Sequence, residues 1–496
     1  MFTRRTLLLT SAAVALSSLS GPSRSQPSVR YNAASPQGKA MLRIYADAVR
    51  AMKALSGTDA KSWTFQWYIH ATPQPKAQLI NTVFGTGPSS GRDLANETWY
   101  TCQSHSGQPE DYFLPWHRLY VLHFEQIIRA VTGHPEFTLP YWDYTSAASY
   151  AIPDEFQAKN QNDPVFSSLF VANRNKDGGG LKSADVNAGE PLNKHFPGAR
   201  NFLVLPDLTE PDYSSFCSQL DGNLHGNIHV YTGDGTNMGK VPTAAGDPVF
   251  WLHHCNIDRI WSSWNASRGQ NPTQTNGVDW AKTNFVFADR NGNRFETAIS
   301  TVSDSSALPY SYDTMAGQVV AQAGGSRPER HVLLKSIAPG AVAAPAEATP
   351  PSAVPLGGTP RTVRLAPTTP QNRLMAIAPH IPSGSPSRFF LTLKDVQART
   401  NPNTTYEVFL DLPPNASPDA ADEHYVGLLN FFGAIMDPTH DHRGGRTIEF
   451  DVTRVVLRLT ASNKLQNETT VTLVPVGQPA DDSAPVVAGG IELHQR

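Results

Sequence analysis

The sequence predicts a mainly helical domain with long loops, followed by a small antiparallel β domain. Two long stretches between residues 40 and 325 repeat apolar residues at helical spacing. Eleven prolines crowd the segment between Pro339 and Pro386. Beyond it, apolar and polar residues alternate with a period of two. A chain of 496 residues has room for two or three domains. Its 40% hydrophobic and 17% charged content is that of an ordinary globular protein. A net charge of −3 offers no basic surface for a nucleic acid.

The first twenty residues, MFTRRTLLLTSAAVALSSLS, join paired Arg4-Arg5 to a short apolar run and small residues. That run is too short to span a bilayer, so residues 1–25 are expected to be a twin-arginine export signal. The protein is then periplasmic or secreted, with no membrane association once the signal is removed. A helical domain is expected over 26–325. Its clearest helix begins near Pro115 and ends at Gly133, the usual places for Pro and Gly. Positions 120, 121, 124, 127, 128 and 131 make its apolar stripe, with His117 on the same face. A second helix fits DPVFWLHHCNIDRIWSSW, with Asp247 as N-cap and Pro248 first. A Pro/Ala-rich linker is expected over 326–360 and a β domain over 361–496. Its strands are RTVRLAP, FFLTL, YEVFLDL, IEFDVTRVVLRL and VTLVPV.

Histidine is the residue type that points to chemistry. In HGNIH, His225 and His229 share one helix face, a turn apart, and can grip one metal ion. The zinc-protease box has Glu after its first His, whereas Gly226 stands here, so a zinc hydrolase lacks its base. His70, His105, His117, His253 and His254 also lie near apolar, aromatic stretches. Adjacent helical residues point about 100° apart, so His253 and His254 cannot both aim at one ion. Periodicity alone does not choose between them. An all-imidazole donor set suits copper better than calcium, magnesium or non-haem iron. Three cysteines, Cys102, Cys217 and Cys255, are too few for a disulfide framework.

FLPWHRLYVLHFE (113–125), EFTLPYWDY (136–144), HGNIHVYTGD (225–234) and DPVFWLHHCNIDRIW (247–261) resemble the type 3 copper proteins: tyrosinases, catechol oxidases and plant polyphenol oxidases. VDWAKTNFVFAD (278–289) and the C-terminal strands resemble the plant enzymes in particular. The resemblance implies a four-helix bundle holding a dicopper centre, with a β-sandwich or barrel-like domain behind it. It assigns His70, His105 and His117 to one copper ion, and His225, His229 and His254 to the other. His105 stands further from His117 than its counterpart does in most relatives, as a loop insertion would produce. Cys102 becomes a candidate for a thioether to His105, with a free thiol or a Cys102–Cys217 disulfide as alternatives. Cys255 reads as buried packing, and Asp258 as a hydrogen-bonding rather than a ligating residue.

The resemblance further implies that small phenols and O2 are the substrates. Monophenols would be hydroxylated to catechols and o-diphenols oxidised to o-quinones. Gly226 occupies the position where tyrosinase-like relatives carry Asn, and Asp221 is the nearby acid, unless it is a helix N-cap. Val241 aligns with a gate that is often Phe in plant enzymes and leaves room for tyrosine-sized substrates. The C-terminal domain is expected to be an intramolecular lid that keeps the enzyme latent, with Leu429, Phe431 or Phe432 entering the site. His440 and His442 read as an exposed turn. Alternatives are a catechol or o-aminophenol oxidase without monophenolase activity, and a non-enzymatic O2-binding protein resembling haemocyanin.

Overall fold

A computed structural model describes residues 28–103, 111–317, 353–366, 388–416, 422–435 and 445–495, apart from single positions within these ranges. The twin-arginine segment, His105, His440 and His442 lie outside the described residues. No helix among the described residues is long and apolar enough to cross a membrane.

Among the described residues, nine α-helices precede residue 317. Those that shape the site are α1 (Pro36–Ala54), α2 (Trp63–His70), α3 (Lys76–Phe84), α4 (Ser90–Thr98), α5 (Phe113–Thr132), α6 (Tyr213–Gln219), α7 (Gly226–Thr232) and α8 (Val249–Ala266); α9 (Ser300–Ser303) is one turn. Helix α5 starts two residues before Pro115 and stops at Gly133, whose φ of 72° is the left-handed cap that glycine adopts freely. Helix α8 begins at Val249 rather than at Pro248. Asp247 still accepts the Val249 N–H at 3.0 Å, but its main partner is the buried Arg174, at 2.7 Å. Between α6 and α7 the chain widens into a π-helical turn, Leu220–His225. Such turns cost hydrogen-bond geometry and gather at functional sites. Both α5 and α8 are buried nearly all round, so they form the inner wall of the helical domain.

Edge strands are few in this half: β1 (Ser28–Arg30) pairs in parallel with β4 (Tyr310–Tyr312), and β2 (Asn284–Ala288) with β3 (Arg294–Ala298). The C-terminal half is a β-sandwich. One sheet has the order Arg446–Asp451 (β10), Phe389–Gln397 (β7), Val486–Gln495 (β12) and Val354–Pro355 (β5). The other has Arg361–Arg364 (β6), Thr470–Val476 (β11), Thr405–Leu410 (β8) and Tyr425–Leu429 (β9). Leu391, Leu393, Ile448 and Ile491 from the first sheet share one core with Val408, Leu410, Val471 and Leu473 from the second.

One predicted strand needs correction. IEFDVTRVVLRL is β10 only as far as Asp451, after which Thr453–Ala461 forms helix α10. Val455, Val456 and Leu459 are buried at helical spacing, and the Asp451 carboxylate accepts the Thr453 N–H that opens the turn. Strand β5 falls within the stretch expected to be linker and pairs with Val486–Val487. The three cysteines are thiols, and no disulfide joins them. Cys255 is buried and donates to the Leu139 carbonyl, as the packing reading expected.

Candidate metal centre

Four segments of the helical domain converge on one buried site. Helix α2 ends on His70, α5 carries His117 in its first turns, and the π turn with α7 carries His225 and His229. Helix α8 carries His253 and His254. All six rings are at most 2% exposed. One ring nitrogen from each of His225, His229, His253 and His254 lies within 4.8 Å of the others. A second group, at the same separation, joins His70 and His117 to the Cys102 thiol.

Second hydrogen bonds orient the rings. His117 Nδ1 is 2.8 Å from the Phe113 carbonyl, and His229 Nδ1 is 2.8 Å from the Met238 carbonyl. A carbonyl only accepts, so each Nδ1 carries the proton and each Nε2 keeps its lone pair. His225 Nδ1 is 2.9 Å from an Asp221 carboxylate oxygen, which orients that ring too. The His229 Nε2 and both nitrogens of His254 find no hydrogen-bond partner among the described residues.

Burial, aided by the neighbouring His225, holds the His117 imidazole down to about 3. Burial also lowers His229, His253 and His254 well below the ordinary histidine range, with other histidines of the site contributing. At neutral pH these rings are therefore uncharged donors. Burying an imidazole with no partner is costly, and a metal ion that accepts its lone pair offsets the cost. Neutral nitrogen donors with bound-in tautomers fit a copper pair.

The structure separates the adjacent histidines. His253 Nδ1 is 2.8 Å from the Tyr144 hydroxyl, and its ring stacks on His225 at 5.2 Å. His254 instead faces both groups, with its ring centroid 4.3 Å from His117, 5.1 Å from His225, 5.7 Å from His229 and 6.4 Å from His70. Tyr144, within EFTLPYWDY, thus takes up one nitrogen of His253, whose Nε2 has no hydrogen-bond partner among the described residues.

Asp221 is fully buried inside the helical run from Tyr213 to Thr232 and is not an N-cap; Asp212 caps that run. Val241 opens a short 3-10 stretch, half-buried against the main core. Asp258 lies away from the metal groups, in a buried network with Arg30 at 3.0 Å, Arg118, Tyr310 and Tyr312. Cys102 Sγ is 3.6 Å from His117 Nε2.

The C-terminal domain also reaches the site. Phe432 stacks on His229, 3.9 Å between centroids and 7° between planes, and meets His225 edge-on at 5.6 Å. Phe431, by contrast, packs into the β-sandwich core, where Leu429 also lies. Arg446 donates to the Phe432 carbonyl and lies 3.3 Å from the Asp221 carboxylate. Sequence reading had not noted Arg446, since a lone arginine in a strand carries no local signal.

Residues 60–267 match the family described as the common central domain of tyrosinase, and residues 346–496 match a domain of unknown function. A tyrosinase of Hahella sp. (strain CCB-MM4) is 33% identical over 290 residues, which are 55% of this chain and 60% of that protein. Catechol oxidase B of Solanum tuberosum is 28% identical over 41% of this chain and 38% of its own. The chain thus spans about 60% or less of the length of these relatives. Among solved structures, latent aurone synthase aligns over 96% of this chain and 90% of its own, with a TM-score of 0.61 at 19% identity. Latent apple tyrosinase aligns over 96% and 98%, with a TM-score of 0.58 at 19% identity. The fold of both halves therefore recurs in these proteins, while the central helices match in sequence as well. On their sequence, the central helices of this chain, residues 60–267, belong to the tyrosinase family.

Proposed function

We propose that this chain is a phenol oxidase that hydroxylates monophenols and oxidises o-diphenols to o-quinones with O2, and that its C-terminal domain keeps it latent. The carrying observation is the convergence of buried histidines from α2, α5, α7 and α8 on one site. His70 and His117, with His105, would hold one copper ion, and His225, His229 and His254 the other. When bound, the copper pair supplies the redox chemistry that activates dioxygen toward an electron-rich ring.

The chain's own residues do the rest. Carbonyls of Phe113 and Met238 and the carboxylate of Asp221 fix ring orientation, while Phe113 and Phe250 pack on the imidazoles and limit water. Phe432 is a phenyl ring lying on an imidazole of the site, so it marks where a phenol ring would lie and blocks it. In the closed form Asp221 faces Arg446, so the carboxylate faces open solvent and substrate only after the domain leaves. Val241, smaller than Phe, supports the monophenol reading. A narrower reading, o-diphenol oxidation alone, is favoured by Gly226, which offers no side chain to hold a water beside His225.

Metal analysis and oxygen uptake on L-tyrosine and L-DOPA, before and after proteolysis in the Pro-rich segment, test both parts. Quinone formed from L-tyrosine after a lag supports the broader reading. Uptake on L-DOPA alone leaves the narrower one, and no uptake on either removes both. Latency fails if cleavage leaves the rate unchanged. We also propose twin-arginine export from Arg4-Arg5; secretion undiminished in an Arg4→Lys, Arg5→Lys chain would exclude it.

A further inference from the structure

Glycine at 226 has no conformational reason to be there. Its φ of −62° is ordinary helix, where glycine is among the least favourable residues. Its reason is space. A Cβ at 226 would lie 2.6 Å from Oδ1, 2.9 Å from Nδ2 and 3.0 Å from Cγ of Asn430, on the C-terminal domain. Asn430 cannot swing aside cheaply, because it is fully buried and held at both ends of its amide. Nδ2 donates to the Gly222 carbonyl at 2.8 Å and to Asn227 Oδ1 at 2.9 Å, and Oδ1 accepts the Phe432 N–H at 3.1 Å. One side chain thus touches the His225–His229 segment and positions the backbone of the residue stacked on His229. Gly222, one turn earlier, fits under the same surface, its would-be Cβ 3.5 Å from Ile448.

We infer that Asn430 is the residue that seats the C-terminal domain on the metal centre, and that it can do so only because position 226 has no side chain. The inference rests on the latency reading for its consequence, though not for its geometry. It makes the position next to His225 a coupling point. A side chain placed there to alter chemistry at the metal site would also loosen the lid.

The test uses the full chain, metal-free and copper-loaded, as wild type, Gly226→Ala, Asn430→Ala and the double variant. Hydrogen exchange of peptide 427–432 reads docking without activity, and peptide 120–128 in α5 reports that the fold is intact. Overpacking by one methyl against a fixed amide should speed exchange at 427–432 about tenfold in Gly226→Ala, whereas helix propensity alone predicts no loss. Asn430→Ala should also speed it, and the double variant should exchange no faster than Asn430→Ala, since the shorter side chain removes the collision. Asn430→Leu keeps the bulk without the hydrogen bonds, so in that background Gly226→Ala should again add its effect. Exchange unchanged in Gly226→Ala, or an increment of equal size in the Asn430→Ala background, overturns the inference. If exchange responds as expected while proteolysis leaves the catalytic rate unchanged, the seating stands and the latency reading falls. If proteolysis activates but exchange ignores position 226, the reverse holds.

Discussion

A buried imidazole with neither nitrogen hydrogen-bonded makes His254 the most telling single residue of the site. The paired His253-His254 was ambiguous in sequence because helical geometry says only that one of them points elsewhere. The family resemblance takes His254, and it is His254 whose ring approaches both histidine groups, whereas the Tyr144 hydroxyl takes up Nδ1 of His253. His254→Ala is therefore expected to lower bound copper by about one ion per chain, read by metal analysis, while His253→Ala keeps the stoichiometry. Equal losses in both variants would refute the assignment. Phe432 allows a second expectation. Deleting a buried aromatic ring costs about 3 kcal/mol, and every 1.4 kcal/mol is about tenfold in an equilibrium. Phe432→Ala should accordingly raise the rate of the uncleaved chain by about tenfold or more, toward that of the cleaved chain. A rate that rises only on cleavage would mean that another side chain does the blocking. His117, His225, His229 and His254 were legible because each sits inside a long motif, while His70 rested on order and spacing alone and His105 lies outside the described residues. The lid's contacts were not, because Asn430, Phe432 and Arg446 meet the site only through tertiary packing.

At the level of elements, α5 and α8 were legible from apolar periodicity and from Pro and Gly at their ends. Strand β12 was not, since Gly489 and Gly490 interrupt its alternation, where the register with β7 also shifts. Strand β5 was hidden among prolines, and VTRVVLRL looked extended because β-branched residues fill it, although its buried positions follow a helix. The joints between elements carry charge that no local pattern reveals. Asp258 on α8 takes Arg30 at the end of β1, Arg118 on α5, and the hydroxyls of Tyr310 and Tyr312 on β4, all of them buried. Burial would raise this carboxyl, but Arg118 and Arg30 hold it below its ordinary value. Asp258→Asn leaves Arg118 without its counter-charge and Arg30 with Glu125 alone, and is expected to cost about 3 kcal/mol of stability. Denaturant unfolding of the metal-free chain measures this, and a loss under about 1 kcal/mol would show the network to be dispensable.

Across the whole molecule, the two halves meet through groups of opposite charge as well as through the Phe432 contact. Arg200 approaches Asp422 and Glu407 on one side, at 2.9 and 3.6 Å. On another, Arg388 of the β domain serves three carboxylates, Asp207, Glu210 and Asp451. One guanidinium among three acids leaves surplus negative charge in a part-buried joint, of which Glu210 is the most buried member. Glu210 is the group that bears it: burial, opposed by Arg388, raises its carboxyl from 4.5 to about 7, with Asp212 and Asp451 also facing it. The amide of Gln219 completes its surroundings, 3.5 Å away. That shift is measured from an exposed carboxyl, so Glu210 binds a proton on folding, and its contribution to stability is full below 4.5 and is lost as pH rises through about 7. Raising the pH from about 5 to about 8 should therefore weaken the folded state, by a factor on the order of tens. Denaturant unfolding of the metal-free full chain across that range reads this without catalysis. Glu210→Gln, which keeps the shape of the site and cannot titrate, should flatten most of the dependence while Arg388 retains Asp207 and Asp451. A wild-type stability that is flat, or that rises with pH, would show that this joint does not sense pH, and an unchanged slope in Glu210→Gln would place the sensing group elsewhere.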